Sequence, residues 1–168
     1  MHELLKNRRS IRRYKPDQVP EDLLDAVLEA GLYAPTGMNR QNVVMVAVRD
    51  KATRDQLSRM NAAVMGTTND PFYGAPCVIV VLGDASNYPV VENGSLVLGN
   101  LMNAAYEAGL GSCWIHRARQ MFETEEGKEL LRKWGLPDTL IGVGNCILGY
   151  PDEAPEANPR LPGRIVKV

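Results

Sequence analysis

The segment Leu96–Ala108 constrains the fold most, because it is apolar nearly all round: Leu96, Val97, Leu98, Leu101, Met102, Ala104, Ala105 and Ala108 leave no continuous polar face. An amphipathic helix shows one apolar stripe; a helix without a polar face must be covered on most sides. The cover comes from the core of the chain or from another subunit. Val78–Leu82 carries the same message for a sheet, since a continuous apolar run of strand length belongs to a central strand buried on both faces. The 168 residues are enough for one domain with a substantial core, and we expect a single domain over 1–168.

Other elements follow from local signals. A short helix is expected over Glu3–Asn7. Pro20 and Glu21 open a second, with Leu23/Val27 and Leu24/Leu28/Leu32 at helical spacing. It ends by Ala34, because Pro35 disfavours helical geometry in the residue before it. Val43–Val48 reads as a strand, and Asp50 caps a helix running to about Asn61. Residues 62–76 read as irregular, punctuated by Gly66, Pro71, Gly74 and Pro76. Strands are expected at Ser112–Ile115 and Leu140–Leu148, with a helix at Glu125–Trp134 between them. The proline-rich tail after Tyr150-Pro151 has no helical period and should run extended. The result is an α+β layer structure.

Against this background the N-terminal chemistry stands out. Residues 8–13 read Arg-Arg-Ser-Ile-Arg-Arg in a chain whose formal net charge is only −1. Guanidinium forks match phosphate oxygens, and a serine hydroxyl adds a neutral donor among them. A phosphate-bearing ligand and a solvated basic loop are the two readings of the run. The overall charge balance argues against nucleic acid or a membrane surface as partner, since both need a broad basic face. There is no basic-then-apolar leader and no apolar run of spanning length, so the cytoplasm is the expected compartment.

Several familiar chemistries are missing. Cys77, Cys113 and Cys146 sit in strand-like stretches as buried thiols, and with only His2 and His116 no cluster has metal-ligand spacing. Gly109-Leu110-Gly111-Ser112-Cys113-Trp114 lacks the third glycine of a dinucleotide fingerprint and lies at a helix-to-strand junction, where the fingerprint needs strand then helix. Gly142-Val143-Gly144 fails the same test inside a strand. Without a carboxylate pair, a nucleophile–base pair or a P-loop, a cofactor has to carry any chemistry.

Four motifs point to one. Arg8-Arg-Ser-Ile-Arg-Arg-Tyr14, Ala34-Pro-Thr-Gly-Met-Asn-Arg-Gln41, Gly109-Leu-Gly-Ser-Cys-Trp-Ile115 and Gly149-Tyr-Pro151 resemble, in order, those of the nitroreductase family of FMN-dependent oxidoreductases. The resemblance spans almost the whole chain. It implies a mixed, mainly antiparallel sheet flanked by helices, an intertwined homodimer with FMN at the subunit interface, and a tail at 150–168 that wraps the dimer. By motif position Arg8, Arg9 and Ser10 resemble the phosphate contacts, and Arg12 the cation beside the flavin pyrimidine. Arg160 resembles an arginine returned to the phosphate; an exposed tail charge is the alternative. Pro35, Thr36, Gly37 and Asn39 resemble the loop lent by the other subunit, although Asn42 follows Gln41 where the family usually has proline. Trp114, Ile115 and His116 match the strand end behind the flavin near N5, through the backbone or, for His116, as a proton donor. Asn69 is a further candidate for the pyrimidine ring, and Arg13 is left as a surface charge.

The resemblance implies hydride transfer from NADH or NADPH to flavin N5, then reduction of an electron-poor acceptor (a nitroaromatic, quinone or free flavin) in a two-step ping-pong cycle. A non-catalytic FMN-binding regulator or carrier is the alternative. The short stretch between Asn61 and Val78 leaves little room for a helical flap, which predicts an open pocket with broad acceptor preference.

Overall fold

A computed structural model describes residues 3–86 and 88–168. His2 lies outside the described residues. Four strands form one antiparallel sheet in the order β1 (Val43–Val48), β2 (Cys77–Asp84), β4 (Leu140–Gly149), β3 (Gly111–Ile115). Helices α1 (Glu3–Asn7), α2 (Glu21–Leu32), α3 (Lys51–Met65), α4 (Val90–Glu107), α5 (Ala118–Glu123) and α6 (Glu125–Lys133) surround it. The α+β expectation holds.

The sheet divides two cores, and β2 shows why its sequence is apolar without interruption. Val78, Val80 and Leu82 face one core with Leu57 and Met60 of α3, Met121 and Phe122 of α5, and Leu130 and Leu131 of α6. Cys77, Ile79 and Val81 face the other, with Leu24 and Val27 of α2 and Val97, Leu98 and Leu101 of α4. Both faces are covered, as the run required. Helix α4 buries one side this way, yet Val91 and Leu96 remain exposed within the chain.

Helix ends follow their caps. The Asp50 carboxylate accepts from Thr53 N–H at 2.8 Å to start α3, and Gly66 ends it in the left-handed region at φ 73°. The helix therefore runs past Asn61 to Met65, and the irregular stretch is shorter than expected. Thr124 caps α6 by accepting from Gly127 N–H at 3.1 Å, with Glu125 and Glu126 in the first turn and Arg132 and Lys133 in the last. Helix α4 starts at Val90, six residues before its all-apolar segment, and α5 was not foreseen.

The Gly142-Val143-Gly144 pair has a packing purpose. Opposite Val81 and Leu82 the ladder skips Val143, a β-bulge. A side chain at Gly142 would collide with the backbone carbonyl of Ala118 in α5, and one at Gly144 with the Trp114 indole.

Candidate cofactor site

Strand β3 is an edge strand, and residues 8–14 run along its open side. Ser10 bridges Ser112 in parallel, and Ile11 N–H donates to Ser112 C=O at 3.0 Å. Gly111 makes room, since a Cβ there would lie 3.0 Å from the Ile11 side chain. The arm is tied to the first tail residues as well. Lys15 N–H donates to Tyr150 C=O at 2.9 Å, Asp152 N–H to Arg13 C=O at 2.9 Å, and Arg12 N–H to the Glu153 carboxylate. Tyr14 donates to Ile11 C=O at 2.7 Å, and burial pushes its hydroxyl well above the ordinary phenol range. The basic run is an anchored segment, bridged to β3 and the tail, rather than a loose loop.

Its four arginines have different fates. Arg13 pairs with Asp152 at 3.5 Å with both side chains more than half exposed, a surface charge as expected. Arg9 turns back on its own backbone, donating to Lys6 C=O at 2.6 Å and Arg8 C=O at 2.8 Å. The Arg8 guanidinium carries a buried Nη1 with no hydrogen-bond partner. Arg12 is exposed at the rim, and among the described residues no carboxylate pairs with either Arg8 or Arg12. A buried guanidinium donor without an acceptor is costly unless an anion arrives.

Two cavities border the arm and β3. Arg8 and Arg9 line one of about 300 Å³ with Tyr106, Ser112, Pro151 and Glu153; the Ser112 hydroxyl there is also buried and unpartnered. Arg12, Asn69, Asp70, Tyr73 and residues 113–117 line the other, of about 290 Å³. Trp114, Ile115 and His116 thus share this cavity with Arg12 and Asn69. Ser10 bridges Ser112 and lines neither cavity.

The wall carrying Asn69 is held by residues that sequence reasoning missed. Asp70 accepts from Arg54 Nη2 at 2.6 Å, from the Ser58 hydroxyl, and from the N–H groups of Phe72 and Gly74, each at 2.8 Å. Burial raises its carboxyl pKa, but these donors outweigh that and hold it below the usual range. Arg54, itself buried, also donates to Ala75 C=O at 2.9 Å and stacks over Phe72. The Asn69-Asp70-Pro71 turn was a legible signal for Asp70, since aspartate accepts readily from nearby backbone in turns. Nothing in the sequence marked Arg54.

The floor is held by Asn61, fully buried on α3. Its Nδ2 donates to His116 C=O at 2.8 Å, and its Oδ1 accepts from Arg117 Nε at 3.1 Å. Arg117 adopts φ 75°, a left-handed conformation uncommon for a side-chain-bearing residue.

The remaining candidates lie elsewhere in the chain. Pro35 and Asn39 line a third cavity of about 450 Å³ with Leu32 and Tyr33, and Thr36 a smaller one with Gln41 and Val97. Gly37 N–H donates to Asn93 Oδ1 at 2.9 Å, fixing this loop to α4. Neither cavity shares a residue with the two beside the arm. Arg160 is exposed on the tail and lines none of the four.

The model of the nitroreductase family matches residues 5–68, from within α1 through the cationic arm to just beyond α3. A protein of Archaeoglobus fulgidus named as an NADH dehydrogenase/NAD(P)H nitroreductase is 33% identical over 162 residues, covering 91% of this chain and 88% of that relative. The chain belongs to the nitroreductase family. The FMN reductase (NAD(P)H) of Bacillus subtilis is 26% identical over 99% of this chain and 73% of its own. The crystal structure of a nitroreductase with bound FMN from Bacteroides fragilis superposes with a TM-score of 0.91 at 28% identity, covering 99% of this chain and 97% of that one. The nitroreductase-like sheet expected from the motifs is therefore the fold observed.

Proposed function

We propose that this nitroreductase-family chain is an FMN-dependent oxidoreductase that takes hydride from NADH or NADPH and reduces an electron-poor small molecule, in two half-reactions. The observation that carries the reading is the rigid arm of residues 8–14, whose Arg8 presents a buried donor with no acceptor. That is a fit for the phosphate of FMN, which supplies forked oxygen acceptors and negative charge. Ser10 and Arg9 stand beside Arg8 on the arm, although Arg9 has already committed donors to the backbone.

When bound, FMN supplies the redox chemistry, accepting hydride from the nicotinamide and giving it to the acceptor. The chain supplies position and charge. Arg12 and Asn69 line one cavity and are suited to the pyrimidine edge, where a fixed cation favours the negative charge that reduction brings. Trp114, Ile115 and His116 line the same cavity, and His116 is exposed, so its imidazole can face the acceptor as a proton donor. Nitroaromatics, quinones and free flavins suit such a site.

A homodimer completes this reading. Pro35, Thr36, Gly37 and Asn39 lie apart from the arm in their own chain and would serve the site of a second copy. Leu32, Tyr33, Met38 and Leu96, all exposed here, give that copy an apolar surface to cover. The tail from 150, with Arg160, would wrap the partner.

Titration of cofactor-free protein with FMN, followed by quenching of flavin fluorescence, tests the proposal. Arg8→Ala should weaken FMN at least about tenfold, in line with loss of a charge-assisted hydrogen bond, while Arg13→Ala binds as the parent does. Far-ultraviolet circular dichroism should be unchanged in both. Equal affinity for Arg8→Ala and the parent, or no FMN uptake by the parent, refutes it.

A further inference from the structure

We propose that Asn61 is a positioning residue: it clamps the His116–Arg117 peptide so that the Arg117 N–H is aimed into the cavity as a hydrogen-bond donor to the flavin. The inference rests on the FMN reading above. The clamp has two jaws on one peptide unit. Asn61 Nδ2 holds the His116 carbonyl at 2.8 Å, and Asn61 Oδ1 holds the side chain of the next residue, Arg117, through Nε at 3.1 Å. The C=O and N–H of a trans peptide point in opposite directions. With the His116 carbonyl held by buried Asn61, the Arg117 N–H of the same peptide is directed away from that amide, and His116 and Arg117 both line the cavity.

The left-handed backbone of Arg117 supports the same assignment. A φ of 75° is costly for any residue with a Cβ and persists where the surroundings over-determine it, which happens preferentially at ligand sites. Here the surroundings are identifiable: Asn61 on Nε, Met65 Sδ accepting from Nη2 at 3.1 Å, and the Arg117 carbonyl accepting from Met121 N–H at 3.1 Å as α5 begins. Asn61 Nδ2 also approaches Met121 Sδ at 3.2 Å, which fixes the amide orientation from the far side. Every polar atom of the Asn61 side chain is therefore spent on the 116–121 segment.

Asn61→Leu tests this without altering the net charge of the protein. The variant keeps Arg8, Ser10 and Arg12 and should still bind FMN. It should shift the ratio of affinities for oxidised and reduced flavin at least about tenfold, read as about 30 mV in the two-electron midpoint potential. The visible bands of bound FMN should shift with it. Arg117→Gly removes the side chain that Asn61 Oδ1 holds and relieves the left-handed strain, leaving only half of the clamp. In that background Asn61→Leu should move the potential far less. A parent that binds FMN while Asn61→Leu leaves its potential and spectrum unchanged overturns the positioning role alone. An equal shift with and without Arg117→Gly also overturns it, and a parent that takes up no FMN overturns both readings. If Asn61→Leu does not fold, Asn61→Ser, which shortens the clamp, carries the same expectations.

Discussion

Replacing Asp70 by asparagine isolates the network that holds the cavity wall. The substitution keeps the shape and one acceptor oxygen but removes the charge facing Arg54 Nη2 at 2.6 Å and the two backbone N–H groups at 2.8 Å. Breaking a fully buried pair costs about 3–5 kcal/mol. Here Asp70 is about a third exposed, and Arg54 keeps Asp55 at 3.2 Å and the Ala75 carbonyl at 2.9 Å. Scaling for that exposure and those remaining partners, with hydrogen bonds to charged groups at about 1.5–3 kcal/mol each, gives a loss of about 2 kcal/mol. For a chain of this size that lowers Tm by roughly 4–8 °C. The sign with pH is fixed by the depressed carboxyl pKa of Asp70. Its stabilising contribution is fully present above the unfolded value of about 4 and is lost as pH falls through the lower folded value. Thermal melts at pH 7 and at about pH 3 therefore decide the matter: the gap between parent and Asp70→Asn should be wide at the first and narrow at the second. Equal melting at neutral pH, or a gap of constant width, refutes the reasoning.

Other expectations follow from packing and burial. Gly142→Ala drives a methyl into the Ala118 backbone and should cost about 2–3 kcal/mol, measured by urea unfolding. Burial raises the Cys77 thiol to about 12 and pushes Cys146 up as well. Iodoacetamide at pH 8 should leave both unmodified in the native protein and label them after denaturation, as mass spectrometry will show. A panel of quinones, nitroarenes and free flavins should give comparable kcat/KM values, because the stretch over the cavity from Gly66 to Pro76 carries no helix. One acceptor outperforming the rest by orders of magnitude contradicts that openness.

Much of this architecture was legible from local chemistry. Val78–Leu82 announced a doubly covered strand, and Pro20, Pro35 and Asp50 punctuated the helices much as they do in the structure. Helix α3 overran its expected end at Asn61 because an asparagine amid apolar residues looks like a helix boundary; tertiary partners on His116 and Arg117 make it a helix interior. The short α5 escaped notice because Arg117 precedes it in a conformation that sequence associates with glycine. The site was half legible. Charge density exposed the arm, and motif order exposed β3, but Arg54 and Asp70 meet across sixteen positions with no periodic signal between them. Pairing of that kind is set by the fold, not by local pattern.

A flavin held by the arm and cycled by NAD(P)H would show itself in the visible spectrum of the purified protein. The expected protein is yellow, bleaches under anaerobic NADH or NADPH and regains its colour when a quinone or nitroarene is added. A yellow protein that resists reduction by either nucleotide would make it a flavin-binding protein without turnover. A colourless protein that takes up no added FMN would contradict the account at its centre.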